Sequence, residues 1–189
     1  MPYIQNASTL IIETLFSLAF YIVLLRFWMQ WVRADFRNEF GQFIITATNP
    51  VIVPIRRVIP SIGAIDTATI LLAIAIATLK FYALILVADG GFSSYSVIKL
   101  LTIAVASVLD SSIYLFLGAI FIGIIASWLN PHSYHPILGI ARSISEPLLA
   151  PARRLLPSMG GIDFSPMLVI LFLRVTQILV IAPLYRLPL

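Results

Sequence analysis

Ionisable side chains interrupt the long apolar segments of this chain of 189 residues and are the first candidates for chemistry: Glu13, Lys80, Asp110 and Arg174. A charge in an apolar medium costs several kcal/mol, so such a residue normally has a partner or faces a cavity. At about 1.5 Å per helical residue, Glu13 and Lys80 lie at similar depths, and Arg174 is the base nearest to Asp110. We therefore expect these residues to form two ion pairs. A polar patch that admits water, protons or small cations is the alternative.

The two histidines have a spacing that metal ligands use, but their context favours a turn. His132 and His135 lie between prolines, with no carboxylate or thiolate nearby, so we interpret them as part of a solvated loop. The chain has no cysteine, which excludes disulfides, thiol nucleophiles and thiolate ligands. It also lacks the G-x-S-x-G, H-E-x-x-H and phosphate-loop motifs. We expect a protein that is not an enzyme and that has no metal and no cofactor.

The composition places these residues in a membrane protein. Hydrophobic residues make up 60% of the chain and charged residues 11%, with a mean hydropathy of +1.03. A soluble domain has about a quarter charged residues, so this chain has too little polar surface to cover a globule. The net charge of +4 comes from arginines beside the apolar segments. That pattern favours anionic phospholipids as partners and disfavours nucleic acid.

Four apolar segments are long enough to cross a bilayer, which needs about 20 helical residues: residues 8–32, 65–88, 108–130 and 162–184. Each crossing segment must satisfy its own backbone hydrogen bonds, so the fold class is all-α and polytopic. The first segment has no basic residue before it and no cleavage site after it, so we interpret it as an anchor and not as a signal peptide.

One apolar stretch, residues 94–109, leads directly into the third span. As a fifth crossing it would place the two arginine-rich connectors on opposite faces, against the positive-inside rule. We therefore interpret it as a surface helix or an extension of the third span, with a break near Asp110, Ser111 and Ser112.

Arginines fall in two of the connectors: Arg33, Arg37, Arg56 and Arg57 after the first span, and Arg142, Arg153 and Arg154 after the third. Both connectors are predicted to be cytoplasmic, with the termini outside, in a bacterial inner membrane. Tryptophans at the inner ends of the first and third spans should lie in the headgroup layer: Trp28, Trp31 and Trp128. Arg26, close to the inner end of the first span, should snorkel to phosphate.

A shift of 97 residues superposes the two halves of the chain. It aligns Pro50 with Pro147, the arginine pair 56–57 with the pair 153–154, and Asp66 with Asp163. We interpret the chain as a tandem repeat of units 1–92 and 93–189, each made of a span, an amphipathic cytoplasmic connector and a span. Two crossings per unit give both units the same orientation, with a pseudo-symmetry axis along the membrane normal.

The connectors contain prolines, arginines and an aspartate that predict a fixed elbow. Asn49 and Pro50 should start a short helix, preceded by interfacial helices in "EFGQFIITAT" and "HPILGIARSI". Pro54 and Pro60 should limit that helix and force a turn at residues 61–63. Asp66 and Asp163 should cap the next spans. The arginines Arg56, Arg57, Arg153 and Arg154 should contact headgroup phosphates; alternatively, Arg57 and Arg154 close onto Asp66 and Asp163.

The doubled pattern N/E-P-x-x-x-P-x-R-R-x-x-P-x-x-G-x-x-D resembles the YggT family of bacterial inner-membrane proteins, which has chloroplast relatives. Both copies carry the pattern, and a tryptophan near the end of the preceding span accompanies each. The departures are Glu146 in place of Asn49 and a degraded G-G-x-D-x-S-P ending in the first copy. The resemblance implies roles in osmotic or salt tolerance, cell shape and division, or, in chloroplasts, cytochrome-complex assembly and thylakoid or nucleoid organisation.

Three hypotheses for function follow. The first is a non-catalytic inner-membrane assembly or homeostasis factor, linked to osmotic and ion stress, that forms homo-oligomers or binds other membrane proteins. The second is a small oligomeric channel or transporter for ions or osmolytes, lined by the intramembrane polar residues. The third is a scaffold that organises anionic lipids through its arginine connectors.

Overall fold

The computed structural model of the protein describes residues 2–89, 96–129, 135–155 and 163–187. These residues form the helices α1 (Pro2–Trp31), α2 (Glu39–Val58), α3 (Thr67–Asp89), α4 (Val97–Leu129), α5 (Pro136–Leu155), α6 (Ser165–Thr176) and α7 (Ala182–Leu184), with a π-helical segment (Gln177–Ile181) between the last two. His132, the predicted unit boundary at 92–93, and residues 156–162 of the second elbow lie outside the described residues.

Four helices in the described ranges are long and apolar enough to cross a membrane: Tyr3–Trp31, Thr67–Ala88, Val97–Trp128 and Ser165–Leu184. They confirm the prediction of an all-α, multi-pass membrane protein. The last of them is composite, because α6, the π-helical segment and α7 are continuous. Pro183 has no N–H to donate, and the turn before it widens so that the Ala182 N–H donates to the Gln177 carbonyl.

The predicted break near Asp110 is wrong, because α4 runs without interruption from Val97 to Leu129. Ser112, at the predicted break, is satisfied inside the helix and against α1. The Ser112 hydroxyl donates to the Val108 carbonyl at 2.7 Å, and the Trp28 indole N–H donates to the same hydroxyl at 3.0 Å. A hydroxyl that bonds one turn back leaves the helix intact. Residues 97–109 are therefore the first part of the third span's helix, and Trp28 is turned toward α4.

The expectation that a helix starts at Asn49 and Pro50 is also wrong. α2 begins ten residues earlier, where the Asn38 side chain accepts the Gly41 N–H at 2.8 Å and caps the helix. Pro50 and Pro54 lie inside α2. They are one turn apart, so the two missing donors fall on one face and the helix continues past them.

The connector helices are packed into the protein on one face. α5 has the bounds of α2 shifted by 97 residues, from 39 to 136 and from 58 to 155. A hydrophobic cluster joins α1, α2, α4 and α5, with buried members Met29, Ala34, Ile44, Ala119, Ile140, Ala141 and Ile144. The segments predicted to be interfacial helices are thus the first halves of α2 and α5, and their buried isoleucines contribute to the core.

Candidate functional site

The first elbow is a tight turn that connects α2 to α3. Gly63 takes a positive φ of 60°, which glycine adopts without the cost that a side chain would impose. Ile62 and Ile65 exchange two backbone hydrogen bonds of 3.0 Å across this turn. The turn brings Asp66 to the start of α3, where its carboxylate accepts the Thr69 hydroxyl and backbone N–H. The predicted cap at Asp66 is present.

Arg56 closes this elbow, so the alternative in which Arg57 closes onto Asp66 is wrong. The Arg56 Nε donates to Asp66 Oδ1 at 3.3 Å, and its NH2 group donates to Asp66 Oδ2. The same NH2 group donates to Gln30 Oε1 on α1 at 2.9 Å. Arg56 lies one helical turn after the fully buried Ile52 and so faces the protein. Arg57 points away and is exposed.

The Asp66 carboxylate is buried, with 1% of its side chain exposed. Burial works against ionisation, but hydrogen bonds from Arg56 and Thr69 outweigh it and hold the pKa of Asp66 below its usual value. Asp66 therefore stays ionised in the folded protein at neutral pH.

This lowered pKa predicts a loss of stability in acid. An aspartate whose folded pKa is depressed contributes stability above its unfolded pKa of about 3.9 and loses it as the pH falls through the folded value. We expect the free energy of unfolding in detergent micelles to decrease below about pH 4. Asp66→Asn should flatten that part of the profile. An unchanged profile in the variant would show that other carboxylates carry the acid sensitivity.

The second elbow repeats the ion pair in a more exposed setting. The Arg153 Nε donates to Asp163 Oδ2 at 3.1 Å, and its NH1 group donates to Glu146 Oε1 at 2.7 Å. These hydrogen bonds, the one from Glu146 first, raise the pKa of Arg153. About half of each of these three side chains is exposed. Arg154 is exposed and Arg153 pairs with Asp163, so the alternative in which Arg154 closes onto Asp163 is also wrong.

Asp163 accepts a backbone N–H from the first turn of the last span, as predicted, but the N-cap position of α6 is Phe164 and not Asp163. Its Oδ1 accepts the Ser165 N–H at 2.8 Å. Burial opposes ionisation here as well, but the hydrogen bonds from Ser165 and Arg153 outweigh it, so the pKa of Asp163 is lowered. Because the groups are half-exposed, solvent screens this pair far more than the pair in the first elbow.

Arg26 does not snorkel to the surface, in contrast to the prediction. It is 5% exposed and lies between α1 and α2. Its NH1 group donates to Asn49 Oδ1 at 2.8 Å, to the Ile45 carbonyl at 3.4 Å and to the Thr48 hydroxyl. Arg26 lies one turn before Gln30 on α1, so this buried polar group adjoins the first elbow, where Gln30 accepts from Arg56. A weak signal of a difference between the two copies is present in the sequence, because the 97-residue shift aligns Arg26 with Gly123 and the second copy therefore has no arginine at this position.

The predicted ion pairs inside the spans do not form. Lys80 Nζ donates to Ser17 Oγ at 2.9 Å, one turn along α1 from Glu13, which is exposed. Within the described ranges, the ion pairs within 4.0 Å are those of Arg56 and Arg153 with their carboxylates. Lys80 is thus held by a neutral hydroxyl and not by a carboxylate.

Gln177 takes the place predicted for Arg174 beside Asp110. Gln177 Nε2 donates to Asp110 Oδ1 at 2.6 Å, and its Oε1 accepts from Arg174 NH1 at 2.8 Å. The guanidinium of Arg174 also lies over the Tyr114 ring, 5.3 Å from its centroid. The sequence contained the signal for Gln177, since the 97-residue shift aligns it with Lys80.

Metal-ligating groups do not converge in the described part of the chain. No cluster of three or more histidine, cysteine, aspartate or glutamate residues occurs there. The Nδ1 atom of His135 instead accepts the Ile137 N–H at 3.3 Å at the start of α5. His135 therefore belongs to the turn that leads into this helix.

Comparison with known proteins identifies relatives over nearly the whole chain. An Escherichia coli K12 protein named YggT is 39% identical over 172 residues, which cover 90% of this chain and 87% of the relative. An uncharacterized protein in the proC 3′ region of Vibrio alginolyticus is 40% identical over 175 residues, which cover 93% of this chain and 94% of the relative. A Pseudomonas aeruginosa protein, also described as uncharacterized, is 40% identical over 178 residues, which cover 94% of this chain and 90% of the relative. No solved structure matches the chain.

A family model described as CCB3/YggT matches the chain twice, at residues 5–87 and at residues 102–184. The second match is offset from the first by 97 residues at both ends, the same offset that relates the elbows and the helices α2 and α5. Together with relatives of about 40% identity over most of its length, these matches show that the chain belongs to the CCB3/YggT family.

Proposed function

We propose that this protein is a non-catalytic assembly or homeostasis factor of the bacterial inner membrane, which acts by associating with copies of itself or with other membrane proteins. The observation that carries this proposal is the setting of Arg174. Its side chain is exposed, and it lies nine residues after Ser165, about 14 Å into a span of 20 residues. Its contacts are the neutral Gln177 and Tyr114.

A charged side chain at that depth is costly against lipid and is normally covered by protein or water. Glu13 adds a second exposed ionisable group within a span. Both are accounted for if a partner covers the outer faces of α1 and α6. The family resemblance suggests osmotic and ion stress as the condition under which this association matters, and the arginine connectors are expected on the cytoplasmic side.

Arg174→Leu tests this proposal. The substitution removes the charge that a partner would satisfy, so we expect less oligomer or less co-purified partner in nanodiscs, and weaker growth of a complemented deletion strain after salt shock. Arg186→Leu is the matched control, because Arg186 lies beyond the span and is also exposed; it should behave as the parent protein. If Arg174→Leu leaves both association and salt tolerance unchanged, the proposal is wrong.

A second candidate is a small ion or osmolyte channel, and one observation favours it. Arg174, Gln177 and Asp110 form a chain of hydrogen-bonded polar groups between α4 and the last span, at the start of the π-helical segment. Such π-helical turns occur often at functional sites. Ion flux into liposomes that contain the parent protein, and its loss in Arg174→Leu, would favour this candidate over the first.

Lipid organisation is a third candidate and rests on Arg57 and Arg154. Both side chains are exposed, while their neighbours Arg56 and Arg153 are engaged by carboxylates. A basic residue near an anionic leaflet contributes about 1 kcal/mol of binding. This division of the arginine pairs gives one member to the elbow and leaves the other for phosphate groups of anionic phospholipids.

A further inference from the structure

The second half of the chain contains a cleft that the elbow alone does not explain. It has a volume of about 820 Å³ and lies between α4, α5 and α6, where the third span ends and the fourth begins. One wall is apolar and includes Ile120, Ile124 and Ile170, while the other carries the charged side chains of Arg142, Glu146, Arg153 and Asp163. The cleft is therefore amphipathic, as a site for a polar headgroup with an apolar chain would be.

The first half has an arginine side chain where the second half has only a glycine. Gly123, which lines the cleft, is the residue that the 97-residue shift aligns with Arg26. A Cβ atom added to Gly123 would meet nothing within 4 Å. In the first half, the Arg26 guanidinium is buried against the connector helix. The second half thus has no counterpart of the Arg26 guanidinium, and the cation that contacts Glu146 there is the half-exposed Arg153.

The acceptors for the Arg26 guanidinium are retained in the second half. The Arg26 guanidinium donates to the Thr48 hydroxyl and the Asn49 amide oxygen, and the same shift aligns these residues with Ser145 and Glu146. Both of these residues line the cleft. Glu146 also adds a negative charge that Asn49 lacks. Its Oε1 accepts from Arg153, and a carboxylate has room for further donors.

We propose that this cleft binds one aminophospholipid, whose primary ammonium group donates to Glu146 and Ser145 and so replaces the missing guanidinium. The acyl chains lie along the isoleucines of α4 and α6, and the phosphate lies near Arg142. Three features select this occupant: the acceptors Glu146 and Ser145, of which Glu146 engages Arg153 through Oε1; a cationic residue beside them for phosphate, Arg142; and an apolar wall that is continuous with the membrane spans. The inference is independent of the proposed assembly role.

Gly123→Arg is the decisive variant, because it restores the internal cation in the space now open. Binding of phosphatidylethanolamine, phosphatidylcholine and phosphatidylglycerol to the full chain is measured by native mass spectrometry from detergent micelles. We expect phosphatidylethanolamine to bind the parent protein most tightly and Gly123→Arg to bind it about tenfold more weakly. Phosphatidylcholine should bind weakly as well, since its quaternary ammonium has no N–H to donate.

Gly139→Arg is the matched control. Gly139 lies on α5 outside the cleft and also has open space at its Cβ position, so this variant adds the same charge and should retain binding.

Glu146→Gln should lose binding while Arg153 keeps its bond to Asp163, and it serves as the test if Gly123→Arg does not fold. Equal binding by the parent protein and Glu146→Gln or Gly123→Arg would overturn the proposal. Binding of spermidine without phosphatidylethanolamine would overturn the lipid assignment.

Discussion

Asp66→Ala is expected to lower the free energy of unfolding by about 3 kcal/mol, whereas Asp163→Ala should lower it by about 1 kcal/mol or less. Removing one partner of a buried ion pair leaves the other charge without compensation. Asp66 is almost fully buried, and its carboxylate accepts from both Arg56 and Thr69. The expected loss of stability lies at the low end of that for breaking a buried ion pair, because Arg56 is 34% exposed and can reach solvent.

The two elbows of one chain provide the internal control for this experiment. Asp163 makes the equivalent pair with Arg153 at the equivalent position, but both side chains are 44% exposed. Equilibrium unfolding in mixed detergent and SDS micelles measures both variants against the parent protein. If Asp163→Ala proves as destabilising as Asp66→Ala, burial is not what distinguishes the elbows, and stability would depend on the shared turn geometry.

The parts of the fold that sequence reasoning predicted are those set by strong local rules. Long apolar segments predict the four spans, and an aspartate before α3 and another before α6 predict that Asp66 and Asp163 accept from the first turn of the next helix, because both features depend on adjacent residues. The predicted helix start at Asn49 is wrong because it depends on the local Asn-Pro start signal alone. The competing cap at Asn38 and the burial of Ile44 and Ile52 carry the helix through both prolines.

Side-chain partners were less predictable, because they depend on helix rotation and packing. Arg56 and Arg57 are adjacent in sequence but about 100° apart on the helix, so only the phase of α2 decides which one meets Asp66. Arg26 was assigned to the lipid surface by its position near a span end, where arginines often snorkel. Its burial depends on α2 folding back over α1, which no local pattern encodes.

Arg26→Met should also lower the free energy of unfolding by about 3 kcal/mol. The methionine retains most of the apolar contact of the arginine stem but removes the donor of two acceptors, Asn49 Oδ1 and the oxygen of the buried Thr48 hydroxyl. Each unsatisfied group costs about 1–3 kcal/mol. Arg57→Met changes the same residue type on an exposed surface and should have an effect within about 0.5 kcal/mol.

The same micelle unfolding assay compares the two variants directly. Arg26→Lys is an informative third variant, because an ammonium lacks the planar geometry of the guanidinium and should restore only part of the stability. Burying a cation has a desolvation cost, which can offset the free energy that its hydrogen bonds contribute. If Arg26→Met is as stable as the parent protein, desolvation cancels the hydrogen bonds. Arg26 would then be retained for the arrangement of α1 and α2 and not for stability.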